Sequence, residues 1–381
     1  MKIGLMGLEF ESANRGCEAL VYSFLSIIER NFNNGCIVFN FSGTSLGKVT
    51  DAFPRFQFRN INPKIKDFKF TYIRALSQCD YIFDATMGDS FSDIYSKEYY
   101  KHLSKHKKLA EFFCKRYILL PQTYGPFESK DSLKIARDVL NKAYKIYCRD
   151  EMSQKLLKNT FQINDSILVS DMAFVLPYDK NMYSFSSCKK KIGINVSGLL
   201  FKGGFHTENQ FGLTLNYPEL IDRLINDLSK KFEIHLIPHV IDLKEDAYDD
   251  DYKTCDMLHQ KYSNTIMAPV FDTPIQAKSY ISNMDIFIGS RMHSTIASFS
   301  SGVVTIPISY SRKFEGLFGS LDYPFVVNAR EETTESAYQL VMKYIYEVDI
   351  LKKTQVESLK LINEKNEEFK KSILKLIEGD K

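Results

Sequence analysis

Arg291 and His293 stand two positions apart in the run Gly289-Ser-Arg-Met-His-Ser-Thr-Ile-Ala, and a second basic pair, Arg312-Lys313, follows the next apolar run. A guanidinium presents a planar fork of donors to a carboxylate or phosphate. An imidazole gives or takes a proton near neutral pH. Together they suit an anionic, phosphorylated small molecule. On extended backbone both side chains would point to the same side. A plainer reading is a helix cap with a surface arginine and a buried, hydrogen-bonded histidine. The cluster at Arg312 and Lys313 weighs against that reading.

The elements around the pair give it a position. Residues 285–289 read as a buried strand, and 294–301 as a small-residue helix packed on a sheet. Arg291 and His293 then fall in a strand-to-helix loop at the carboxyl end of a strand. Open α/β sheets bind ligands there, and a helix N-terminus adds backbone donors for an anion. Other strand ends carry polar residues too: Asn195-Val-Ser197-Gly198 and His239 in the second half of the chain. The first half offers Asn14-Arg-Gly-Cys-Glu18, Gly88-Asp89-Ser-Phe-Ser-Asp93-Ile-Tyr95, Gln122-Thr-Tyr124-Gly-Pro and Arg149-Asp150. Asp89 and Asp93 suit binding of sugar hydroxyls or base work. Each cluster also reads as an ordinary cap, turn or ion pair.

Short apolar runs alternate with helical patterns twice over. Strands are expected at 2–7, 36–41, 81–84, 117–120, 145–148 and 167–169, then at 191–196, 233–238, 265–268, 285–289 and 303–307. Helices are expected at 17–30, 132–142, 217–230, 251–261, 274–283 and 294–301. Continuous apolar strands separated by helices indicate parallel sheets covered on both faces. The expected architecture is α/β, with two Rossmann-like domains facing across a cleft. The polar stretch 177–191 marks the boundary. This gives an N-terminal domain at 1–178, a C-terminal domain at 190–330, and helices at 331–381 that pack back on the first domain.

Bulk properties exclude several classes. The chain has 381 residues, 44% hydrophobic and 25% charged, with a net charge of +3, which argues against a general nucleic-acid binder. Seven cysteines without a C-x-x-C pair read as reduced thiols, so a cytoplasmic location is expected. No apolar run is long enough for a membrane span or signal peptide. There is no G-x-G-x-x-G and no Walker A motif. The histidines lack convincing ligand neighbours, so no metal is expected. The basic stretch 97–116, with Tyr99, Tyr100, Phe112 and Phe113, reads either as a solvated helix or as a contact for anionic lipid head groups.

In order and spacing these segments resemble the polysaccharide pyruvyl transferase family. The resemblance rests on Asn14-x-Gly16-x-Glu18-Ala19, Gly88-Asp89-Ser-Phe-Ser-Asp93, Gln122-Thr-Tyr-Gly-Pro-Phe127, Arg149-Asp150 and Asp171-Met-Ala-Phe174. It is strongest over Gly193-Ile-Asn195-Val-Ser197-Gly198, Pro238-His239, Arg291-x-His293 and Ser309-Tyr-Ser-Arg-Lys313. It runs nearly to Pro324. Cys17 departs from it, since the family often carries aspartate there. The resemblance implies a fold like the GT-B glycosyltransferases. It also implies transfer of the pyruvyl group of phosphoenolpyruvate to a sugar of a surface polysaccharide or its lipid-linked precursor, as a pyruvate ketal. Phosphoenolpyruvate is then a co-substrate, with no further cofactor, and the acceptor is met at the inner membrane face. The roles implied are His293 as general acid, Arg291 as anion clamp and Asp89 as the group that orients the acceptor hydroxyl. Arg312, Lys313, Asn195, Ser197, His239 and Ser294 join the donor side. Asn14, Glu18, Asp93, Tyr124 and Arg149 line the acceptor side. Two other readings stay open: a nucleotide-sugar glycosyltransferase of the same fold, and a non-enzymatic scaffold of envelope polymer assembly.

Overall fold

In the computed structural model of the chain, residues 1–29, 35–61, 70–94, 96–205, 209–244 and 247–378 are described, without the side chains of Arg312, Lys313 and Glu315. The chain forms two compact units. The first holds Met1–Ser12, Leu20–Met172 and Glu364–Lys381; the second holds Ala13–Ala19 and Ala173–Asn363.

The first unit is built on seven parallel strands: β1 (Lys2–Met6), β2 (Cys36–Asn40), β3 (Phe56–Asn60), β4 (Tyr81–Asp84), β5 (Tyr117–Gln122), β6 (Lys145–Cys148) and β7 (Ile167–Leu168), in the order β3-β2-β1-β4-β5-β6-β7. β4 and β5 are buried at every position, as strands covered on both faces must be. Ile82, Leu119, Ile146, Tyr100 and Val139 belong to the core between this sheet and its helices. Strand order reverses between β1 and β4, so the loops after these two strands part and leave a crevice.

The second unit repeats the plan with six strands: β8 (Lys191–Asn195), β9 (Glu233–Leu236), β10 (Thr265–Met267), β11 (Ile286–Gly289), β12 (Val304–Ser309) and β13 (Val327–Asn328), in the order β10-β9-β8-β11-β12-β13. Its reversal lies between β8 and β11. The helix Tyr217–Leu228 shows the local logic. Asn216 caps it through the amide of Glu219, and a proline sits in its first turn. Leu220, Ile221, Leu224, Ile225 and Leu228 recur at helical spacing and are buried against Ile192, Ile234 and Ile288.

Three differences from the sequence reading have physical reasons. β3 (Phe-Gln-Phe-Arg-Asn) is an edge strand with exposed polar positions, so it lacks the continuous apolar run used to find the others. β13 is too short to carry any periodicity. The unit boundary falls at Met172, ahead of the polar stretch 177–191. Lys278, buried in the helix Pro274–Ile281, donates to the carbonyls of Phe174 (3.3 Å) and Leu176 (2.8 Å) and ties this segment to the second unit. Burial pushes the Lys278 ammonium down to about 7.

The C-terminal helix Val348–Glu378 is divided between the units at Asn363–Glu364. Gln355 donates to the carbonyls of Phe299 (3.0 Å) and Val303 (2.8 Å) in the second unit. In the first unit, Tyr81 donates to the Leu376 carbonyl (2.6 Å), the Tyr147 hydroxyl meets Ser372 Oγ (2.7 Å), and Phe369 stacks edge-on against Tyr147. Among the described residues no helix is long and apolar enough to cross a membrane.

Candidate active site

In the second unit, polar side chains gather at the β8/β11 reversal. Asn195, the last residue of β8, is buried and works as a hinge pin. Its Nδ2 donates to the Ile237 carbonyl (2.9 Å), and its Oδ1 accepts from the Arg291 amide (3.0 Å) and Ser294 Oγ (2.9 Å). The ends of β8, β9 and β11 are thereby fastened to one another. Ser197 caps the turn Gly198–Phe201 through the Leu200 amide. Its own amide donates to the Tyr217 hydroxyl (3.1 Å), which meets Ser290 Oγ (2.7 Å).

The helix after β11 starts at Met292, with Arg291 at its N-cap in extended conformation. The two residues therefore do not share an extended backbone: His293 lies in the first helical turn. The first amides of a helix have no intrahelical acceptor and favour an anion. Arg291 is 8% exposed, and its guanidinium is held by Asp251 and Asp249. Nε reaches Asp251 Oδ1 (3.2 Å), Nη2 reaches Asp251 Oδ1 (2.7 Å) and Asp249 Oδ1, and Nη1 reaches Asp249 Oδ2 (3.3 Å). Burial alone would lower the arginine pKa, but the two carboxylates outweigh it and keep the group charged.

Asp251 is fully buried and joins several loops. Besides Arg291, its oxygens accept from the amides of Gly198 (2.8 Å), His239 (3.1 Å) and Val240 (3.0 Å). His239 is 3% exposed, and among the described residues neither ring nitrogen has a hydrogen-bond partner. Burial, with the nearby His293, pushes its pKa down to about 3, so the imidazole is neutral.

The N-terminal motif joins this group. Asn14 forms an antiparallel bridge with Val240, the Arg15 amide donates to the His239 carbonyl (3.1 Å), and the Ile241 amide donates to the Ala13 carbonyl (2.8 Å). Gly16 then packs on His293: a Cβ at position 16 would lie 2.7 Å from His293 Cβ and Cγ. Glu18 is buried and pairs with Arg15 Nη1 (2.6 Å). The sequence reading puts Asn14 and Glu18 on the acceptor side. Both lie in the second unit, as Arg291 and His239 do, and Asn14 is bridged to Val240. The side chains of Arg312 and Lys313 lie outside the described residues.

In the first unit, the turn after β4 carries Asp89 next to the β1/β4 reversal. The turn is strained: Thr86 and Met87 have φ of 44° and 53°, values costly for residues with a Cβ. A buried network holds it. Asp84 Oδ1 accepts from Thr86 N (2.8 Å) and Oγ1 (3.0 Å), while Asp84 Oδ2 accepts from Lys107 Nζ (2.5 Å) and the Tyr117 hydroxyl (2.5 Å). Burial would raise the Asp84 pKa, but Lys107 and these hydrogen bonds bring it below the ordinary carboxylate value. Gly7 (φ 58°) admits the turn, since a Cβ there would collide with the Thr86 backbone.

The other expected acceptor-side residues brace this loop. Arg149 Nη1 pairs with Asp171 (2.8 Å), its Nε donates to Thr123 Oγ1 (2.9 Å), and a Cβ at Gly88 would come within 3.0 Å of its Nη1. Asp93 is buried and accepts from the amides of Glu128 (2.8 Å) and Ser129 (3.1 Å). Against the cost of burial, these bonds hold its carboxyl below the usual range. The Tyr124 hydroxyl donates to the Tyr147 carbonyl (3.1 Å). Asp89 is half-buried within this frame.

Sequence reasoning missed Asp249, Asp251, Asp84 and Lys107. The first two sit in Tyr-Asp-Asp-Asp ahead of a helix, where acidic residues read as caps, and Asp250 does cap it. Asp84 ends an apolar strand, a signal that was available and unused.

Two parallel-sheet α/β units, each with polar residues at its strand-order reversal, make a GT-B-like fold, one that glycosyltransferases and epimerases also have. UDP-GlcNAc 2-epimerase from Neisseria meningitidis, solved with UDP-GlcNAc, superposes with a TM-score of 0.60 at 11% identity over 98% of this chain and 100% of that one. A glycosyltransferase from Rickettsia africae gives 0.58 at 12% identity, over 98% of each chain. The glycosyltransferase SnogD from Streptomyces nogalater gives 0.55 at 10% identity, over 99% of each. At such identities the likeness is one of fold. No curated protein matches the chain in sequence. The polysaccharide pyruvyl transferase family profile matches residues 14–312, and the chain belongs to that family.

Proposed function

We propose that the protein transfers the pyruvyl group of phosphoenolpyruvate to two hydroxyls of one sugar, on a surface polysaccharide or its lipid-linked precursor, releasing phosphate. The observation that carries this reading is the gathering of Arg291, His239 and His293 at one helix start, in a chain of this family. The helix start and Arg291 suit the phosphate and carboxylate of the donor.

The chemistry assigns each group a task. His293 delivers a proton to the methylene carbon, and C2 becomes electrophilic. One sugar hydroxyl adds to C2 and loses its proton, which restores His293. The C2–O bond to phosphate then breaks, and the second hydroxyl closes the ketal, its proton leaving with phosphate. Neutral His239, buried beside His293, offers its one ring N–H to the donor's oxygens. Asp89, half-buried on the first unit's braced turn, orients the acceptor hydroxyls.

The test is incubation with phosphoenolpyruvate and a panel of lipid-linked and aryl glycosides. Mass spectrometry should find acceptors gaining pyruvate less water, with one phosphate released per transfer. Turnover of UDP-sugars, with no product from phosphoenolpyruvate, would overturn the reading in favour of a glycosyltransferase.

A further inference from the structure

The two carboxylates on Arg291 are not equivalent. Asp251 is fully buried, takes the Nε side of the guanidinium, and also accepts three backbone amides. It is built in. Asp249 has a side chain 25% exposed and meets the Nη1 and Nη2 atoms end-on, the two-pronged geometry in which an arginine binds a substrate carboxylate or phosphate. Asp249 precedes the helix Asp251–Lys261, whose cap is Asp250, so its carboxylate is not spent on capping that helix.

We infer that Asp249 is a specificity-determining residue, a resident counter-ion that a donor must displace to reach Arg291. The inference rests on the donor reading above. Exchanging one carboxylate for another gains no charge. Exchanging it for a phosphate dianion brings a second negative charge to a part-buried cation, where Coulomb terms are stronger than in water. Asp249 thereby sets a charge threshold: phosphate monoesters pass it, and simple 2-oxo or 2-hydroxy monocarboxylates do not. Asp251 keeps Arg291 in place during the exchange.

Titration calorimetry on the full chain tests this with phosphoenolpyruvate, inorganic phosphate and pyruvate, using wild type and Asp249→Asn. The variant should bind phosphoenolpyruvate and phosphate about tenfold more tightly. It should also gain measurable pyruvate binding. Asp249→Ser, which removes the carboxylate with less bulk, should move in the same direction. If wild type binds phosphoenolpyruvate and both variants bind it equally or more weakly, the counter-ion role is overturned and the donor reading stands. If the variants gain phosphate affinity while no protein binds phosphoenolpyruvate, the role stands and the donor reading falls. If no protein binds any of the three anions, both fall.

Discussion

The backbone of Gly16 lies directly against the imidazole of His293, although 277 positions separate the two. No other residue type fits there without moving the ring. A glycine near the chain start therefore fixes where the proposed acid stands. Gly16→Ala should lower turnover about 100-fold, the cost typical of a displacement of about 1 Å at a reacting group. Circular dichroism should show the fold retained, with the loss in kcat rather than in donor affinity. Unchanged kcat would show that the contact does not position His293.

Asp251 should matter for stability as well as for the site. Asp251→Ala leaves Arg291 without its buried partner and three loop amides without an acceptor. Breaking a buried pair typically costs about 3–5 kcal/mol. Asp249→Asn, at a part-exposed pair, should cost no more than about 1 kcal/mol. Urea denaturation of the two variants measures the contrast, and equal losses would contradict it.

Lys107 supports the turn that carries Asp89. Lys107→Met should strand the buried Asp84 carboxylate and destabilise the chain by about 3–5 kcal/mol. Adding Asp84→Asn should recover part of the loss, because the stranded charge is then gone. A double variant less stable than Lys107→Met would contradict this account.

Glu111 gives a pH dependence of distinct sign. Both its carboxylate oxygens are buried without a partner among the described residues, and burial pushes its pKa up to about 8 against the pull of Lys142, Lys107 and Lys108. A pKa raised on folding means the native state holds a proton that the unfolded chain releases. The contribution is full below the ordinary glutamate value of 4.5 and is lost as pH rises toward 8. Thermal melts should show wild type losing stability relative to Glu111→Gln across that window. Parallel pH profiles for the two proteins would contradict it.

The sheets were legible because buried parallel strands such as Tyr81–Asp84 and Ile286–Gly289 are continuous apolar runs. The helix Asp251–Lys261 was legible to the residue. The place of Arg291 and His293 was legible, since both sit just past such a strand. Its partners were not. Asp251 lies 40 positions from Arg291, and Asn14 reaches Val240 by a bridge between distant segments. Such pairings arise only when loops from separate strands meet at one sheet edge. The roles of Asp93 and Tyr124 illustrate the opposite limit: both types suit sugar binding, and both are engaged with backbone groups inside the first unit.

The central claim is that His293 moves the proton in transfer from phosphoenolpyruvate. The direct measurement is steady-state ketal formation by His293→Ala and wild type, with phosphoenolpyruvate affinity measured in parallel. Loss of one general acid is worth about 10²–10⁴-fold, so kcat should fall in that range with donor affinity largely kept. Wild-type turnover by His293→Ala would contradict the account.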